Sequence, residues 1–123
     1  MSNTEERDLG TQPLDTILTG WQLNNHDVVE ASPEQLTHKQ LVRARNGRRL
    51  TLKMMIKVAR TVNFSVWGRL TDEEREQFTE YSPKHLFTYS KGSDEAYVDP
   101  NKALYEVIAD REIRADFRTE LGI

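Results

Sequence analysis

Between Gln35 and Thr71 the chain places nine lysines and arginines and not one Asp or Glu: Lys39, Arg43, Arg45, Arg48, Arg49, Lys53, Lys57, Arg60 and Arg69. The whole chain carries a formal net charge of −3, so this block is a local reversal of sign. The chemistry such a block performs is the binding of polyanions, because its cations neutralise phosphates and release their condensed counterions. For a lone Lys or Arg the simpler account is a solvated face that balances an acidic body. Nine bases in succession, uninterrupted by an acid, favour a phosphate-bearing partner.

Other chemistries find less support. Cysteine is absent, which removes disulfides, thiol catalysis and most structural zinc sites. His26, His38 and His85 stand far apart without metal-ligand spacing, and no glycine-rich phosphate loop is present. Asp72, Glu73, Glu74 and Glu76 are acidic enough for a metal reading, but capping and solvating a helix explains them more simply. Asp94, Glu95 and Asp99 form at most a loose cation site. Neither an enzyme, a metal nor any cofactor is expected. No apolar run approaches the length that crosses a bilayer, so no membrane partner is expected. The N-terminus is acidic where a signal peptide would be basic, and the expected location is cytoplasmic.

The elements that must carry the basic block follow from spacing and caps. With 37% hydrophobic and 30% charged residues, 123 residues make one domain, or one domain with an appendage. Residues 1–12 read as a disordered polar lead. Pro13 suits the first turn of a helix whose apolar face is Leu14, Ile17, Leu18 and Trp21, with Gly20 near its end. Asn24 or Asn25 caps a short second helix around Val28 and Val29. Ser32-Pro33-Glu34-Gln35 reads as a fresh helix start. Thr37 caps His38–Arg45, with Leu41 and Ala44 inside and Asn46-Gly47 as the stop. Thr51 caps the clearest helix, whose core stripe is expected at Leu52, Met55, Ile56, Ala59 and Val62, widened by Val58. Lys53, Lys57 and Arg60 lie off that stripe, and Phe64 and Trp67 follow as large apolar side chains. Thr71 and Glu74 form a capping box that starts an acidic helix to about Tyr81. Ser82-Pro83 opens a turn with Leu86 and Phe87. Asp99-Pro100 opens a last helix with Leu104, Val107 and Ile108, then Ile113, Phe117 and Leu121, with a bend or a change of packing partner near Asp110. The class is all-α.

The order helix, short helix, turn, helix, elbow, helix over residues 14–67 resembles the Cro/C1-type (XRE-like) helix-turn-helix domain. Trp21-Gln22-Leu23-Asn24-Asn25 stands where that family opens its second helix with a hydrophobic-Ser-Gln pattern. Leu36-Thr37-His38-Lys39-Gln40-Leu41 matches the hydrophobic-Ser-x-x-Thr-hydrophobic opening of its recognition helix. Arg45-Asn46-Gly47-Arg48-Arg49-Leu50-Thr51 matches its Asn-Gly elbow and following cap, and Ile56 to Phe64 resembles the end of its next helix. One departure is the turn Ala31–Gln35, about two residues longer than the family's usual turn and without its glycine. It predicts an added half turn before Thr37.

The resemblance implies a lambda-repressor-like helix-turn-helix bundle of four to five helices over residues 13–67, with residues 68–123 as an acidic helical extension. It implies a sequence-specific DNA-binding transcriptional regulator, a homodimer on double-stranded DNA. The extension would serve dimerisation or, in an antitoxin-like variant, bind a protein partner. Base-reading positions would be His38, Lys39, Gln40 and Arg43 on the outer face of the recognition helix. Gln40 suits adenine, and Arg43 or Lys39 suits guanine. Asn25, Arg45, Arg48, Arg49 and Lys53 would hold phosphates. The rival reading is a protein–protein interaction adaptor that keeps the fold without reading DNA.

Overall fold

Most helices of this protein begin at a side chain that replaces a missing backbone partner, so their starts are written locally. The computed structural model describes residues 9–89 and 99–108, and these contain seven helices and no strand. They are α1 (Pro13–Gly20), α2 (Asn25–Ala31), α3 (His38–Asn46), α4 (Leu52–Trp67), α5 (Asp72–Gln77), α6 (Pro83–Leu86) and α7 (102–108). Asn24 Oδ1 accepts the Asp27 N–H at 2.8 Å, and Asp27 returns a bond to the Asn24 N–H at 3.1 Å. Thr37 and Gln40 make the same reciprocal box for α3, with both bonds at 3.1 Å. Thr51 caps α4 through the Met54 N–H, and Thr71 and Glu74 cap α5. The α3 stop is Gly47, left-handed at φ +93°. A Cβ there would lie 2.0 Å from the Gly10 carbonyl oxygen, so conformation and space both require glycine.

The core is the sum of one face from each helix. Leu14, Ile17 and Leu18 of α1, Val28 of α2, Leu41 and Ala44 of α3, and Val58, Val62 and Val66 of α4 are fully buried with Leu86 of α6. α2 packs on α3 and α4, α1 on α3 and α6, and α4 on α6. Leu104 and Ile108 bring α7 onto the same core, while Val107 faces out. Gly20 permits the approach, since a Cβ there would meet the Tyr105 ring at 2.7 Å. Trp21 is buried, and its Nε1–H donates to the Tyr81 hydroxyl at 2.9 Å. That hydroxyl donates onward to Asp99 Oδ1 at 2.7 Å.

Three local expectations change. First, α4 turns its buried face away from its N-terminal residues. Ala59, Val62 and Val58 are buried as expected, joined by Thr61, Ser65 and Val66, but Leu52 is 62% exposed and Met55 and Ile56 are half-buried. The Thr61 and Ser65 hydroxyls are buried at little cost because each donates to the carbonyl four residues back, at 2.9 and 2.8 Å.

Second, Ser32-Pro33-Glu34-Gln35 forms a turn and adds no half turn of helix before Thr37. Ser32 Oγ accepts the Leu36 N–H at 3.0 Å and the Glu34 N–H at 3.3 Å, and pairs with the Thr61 hydroxyl at 3.1 Å. Gln35 takes the left-handed conformation, φ +58°, that a glycine would adopt without strain.

Third, α5 ends at Gln77 and does not run to Tyr81. Two asparagine side chains substitute for helical bonds in the extended segment that follows. Asn101 binds both the N–H and C=O of Thr79, at 2.8 and 2.7 Å, and Asn63 binds those of Tyr81, at 2.7 and 3.0 Å. Of the expected lead, residues 9–12 lie against the elbow after α3. The Leu9 N–H donates to the Gly47 carbonyl and the Gln12 N–H to that of Arg45. Residues 1–8 lie outside the described residues, as do Asp94, Glu95, Asp110, Ile113, Phe117 and Leu121.

Candidate nucleic-acid interface

α3 presents one apolar and one polar face. Leu41 and Ala44 are fully buried, and that fixes the rotation of the helix about its axis. His38, Lys39, Val42 and Arg43 are consequently exposed together on the outer side. The structure thus brings three of the four expected base-reading side chains, His38, Lys39 and Arg43, onto one surface. The fourth, Gln40, is half-buried. Its Oε1 accepts the Thr37 N–H at 3.1 Å and the Lys57 ammonium at 3.5 Å, leaving its amide N–H groups as the donors it can offer a base. The His38 ring stacks on that of His26 from α2, with centroids 6.2 Å apart and planes at 20°. This contact places the beginnings of α2 and α3 side by side on the surface.

The expected phosphate-binding residues divide into two groups. Arg45 is an internal tie. Its Nε donates to Asp15 Oδ1 at 2.6 Å and its Nη1 to Asn25 Oδ1 at 2.7 Å, with only 18% of the side chain exposed. One guanidinium therefore joins α1, α2 and α3, and both Arg45 and Asn25 are committed to it. Arg49 and Lys53 remain on the surface, and Arg48 is half-buried. Arg49 lies over the Tyr89 ring, 5.2 Å from its centroid, which holds its stem while the charge stays solvated. The Tyr89 hydroxyl donates to the Arg48 carbonyl at 3.1 Å and accepts the Leu50 N–H at 3.2 Å. Burial pushes the Tyr89 phenol above its ordinary range, so it stays a neutral donor.

Across the basic block, internal pairing is uneven. Arg45, Arg60 and Arg69 meet Asp15, Glu34 and Asp27, all acids from before the block. The local charge excess is thereby concentrated on the outer side of α3, on the elbow and on the first turns of α4, at Lys39, Arg43, Arg49, Lys53 and Lys57.

Sequence reasoning missed three organisers of this surface: Asp15, Gln12 and Tyr89. Gln12 is buried, and its Oε1 accepts the N–H groups of both Thr88 and Tyr89, at 3.0 and 3.2 Å. Its signal in sequence is nil, because its partners lie 76 and 77 residues away. Among the described residues no group of His, Asp or Glu side chains is arranged to hold a metal ion. No described helix is long and apolar enough to cross a membrane. Comparison of the chain with protein-family models, curated proteins and solved structures gives no match in any of the three.

Proposed function

We propose that this protein binds double-stranded DNA through α2, the turn and α3 used as a helix-turn-helix, and that it acts as a transcriptional regulator. The observation that carries this reading is the outer face of α3. Its Leu41 and Ala44 are locked in the core, while His38, Lys39 and Arg43 stand exposed beside a basic elbow. A helix held that way offers donors to base edges from its first turns, and Arg49 and Lys53 flank it at the positions of phosphate contacts. Val42, 42% exposed in the middle of the face, suits a thymine methyl. The Gln35 turn supports the reading too, since it brings Thr37 to the start of α3 without an added half turn.

Affinity for a labelled duplex pool is the direct test. With Arg49 and Lys53 on phosphates, the log–log salt slope is expected at roughly −2. Selection from a random library should then enrich one motif. Failure to bind at low salt refutes the reading and leaves the adaptor. The observation favouring an adaptor is the exposed apolar material on α4, Leu52, Phe64 and Trp67, which a DNA backbone does not use.

A further inference from the structure

The outward face of α4 leaves Leu52, Phe64 and Trp67 exposed, although Trp67 also meets the Arg75 guanidinium at 5.0 Å and the Phe78 ring at 6.1 Å, and its composition is ordered along the helix. Its buried residues are Val58, Ala59, Thr61, Val62, Ser65 and Val66, so Lys53, Ile56, Arg60, Phe64 and Trp67 line the opposite side. Leu52, Phe64 and Trp67 are 62%, 58% and 44% exposed. A shallow apolar groove lies at each end. The first is lined by Leu52 and Ile56 and carries Lys53 and Lys57. The second is lined by Phe64, Trp67, Phe78 and Pro33 and carries Glu80. Both reach Arg60, whose charge is answered by Glu34 at 3.4 Å.

Two apolar grooves at opposite ends of one helix, the first carrying Lys53 and Lys57 beside the Arg60–Glu34 pair and the second carrying Glu80 beside Arg60, are complementary to each other under a two-fold rotation. We propose that this face of α4 is the docking surface for a second copy of the chain, crossing antiparallel with the axis at Arg60. The register follows from symmetry. With Arg60 at the axis, Ile56 lies against Phe64 of the partner subunit, and Lys53 beside Trp67 of the partner subunit. Lys53 and Trp67 each sit seven residues from Arg60, about 10 Å along the helix. The lysines of each copy then approach Glu80 of the other, twice over, as an isologous interface requires. A parallel arrangement would set lysine against lysine. The two Arg60 side chains meet near the axis already neutralised by their own Glu34. A simple acidic partner would satisfy the lysine-bearing groove alone, whereas a second copy matches both grooves with one surface.

This surface does not rest on the DNA reading, though it takes up Lys53, which that reading sets on a phosphate, and it moves dimerisation from the acidic extension to α4. The test is sedimentation of the full chain without DNA, from about 1 to about 100 µM, a span that brackets micromolar association. A concentration-dependent dimer is expected. Phe64→Glu, at an exposed position, should weaken it at least tenfold with the helical circular dichroism unchanged. Lys53→Glu and Glu80→Lys should each weaken it several-fold, and the double variant should recover most of the loss. Because the chain has no cysteine, Arg60→Cys should oxidise to a disulfide-linked dimer while Lys84→Cys, on α6, should not. A wild-type chain that stays monomeric, a dimer unaffected by Phe64→Glu, or equal cross-linking at both cysteines overturns the proposal. Duplex binding that survives in a monomeric chain would leave the DNA reading intact while this one fails.

Discussion

Replacing Arg45 separates two roles that its position in the basic block makes equally natural. Only 18% of its side chain is exposed, while the Asp15 side chain is 37% exposed, so water relieves part of the damage when the arginine is removed. An ion pair of this partly exposed kind contributes up to about 1 kcal/mol. The charge-assisted bond to Asn25 adds about 1 kcal/mol, and lost packing of the stem a few tenths more. Arg45→Ala is therefore expected to cost about 1.5–2.5 kcal/mol. For a domain of this size that lowers Tm by about 5–10 °C. Asp15→Ala should cost less, and the Asp15→Ala/Arg45→Ala cycle should show a coupling of about 0.5–1 kcal/mol. The assays are thermal unfolding by circular dichroism and the salt dependence of duplex binding well below Tm. Arg45→Ala should leave the salt slope unchanged, whereas Arg49→Ala should flatten it by about 0.9. If Arg45→Ala keeps its Tm and flattens the slope by the same amount, the guanidinium serves a phosphate and the internal tie is immaterial.

Gln35→Gly should raise stability by about 0.5–1 kcal/mol in denaturant unfolding, because relief of the left-handed strain outweighs the added freedom of the unfolded chain. Gly47→Ala should lower it by at least about 1–3 kcal/mol, since the new Cβ meets the Gly10 carbonyl in a conformation alanine resists. Tyr81 has its phenol pKa raised, chiefly by burial. The unfolded phenol ionises near its ordinary value of about 10 while the folded one does not, so its contribution is complete below that pH and is lost as pH rises further. Chemical denaturation above about pH 10 should show wild type losing stability faster than Tyr81→Phe, which itself starts about 1–3 kcal/mol lower for want of the bonds to Trp21 and Asp99. Gln40→Glu keeps an acceptor for the Thr37 N–H but removes the amide donors. Helicity should hold while operator affinity drops at least tenfold, measured by anisotropy against a selected site, and an unchanged affinity would remove Gln40 from base reading.

What the sequence determined by itself is whatever a few neighbouring residues settle. The helix starts at Thr37, Thr51 and Thr71 were readable because the cap stands just before a helical pattern, while the second helix's cap was narrowed to Asn24 or Asn25 and the structure selects Asn24. The all-α class, the Gly47 stop and the inward placement of Leu41 and Ala44 belong with them, resting on helical periodicity and on the one residue that tolerates the left-handed region. The outward exposure of His38, Lys39 and Arg43 follows from that inward pair. The tertiary structure decided the matters of partnership. Leu52 and Ile56 fit a core stripe by spacing, yet the face α4 buries is set by α2 and α6, and these select Val58, Thr61, Val62, Ser65 and Val66. Arg45 looks like any other base of its block until Asp15, thirty residues earlier, is brought to 2.6 Å from it. Gln35 stands for the missing glycine because Ser32 and Thr61 hold the turn, and α5 stops short because Asn63 and Asn101 take up the backbone beyond it. Periodicity and caps report on a helix alone, whereas burial, ion pairing and strain depend on which distant segments arrive beside it.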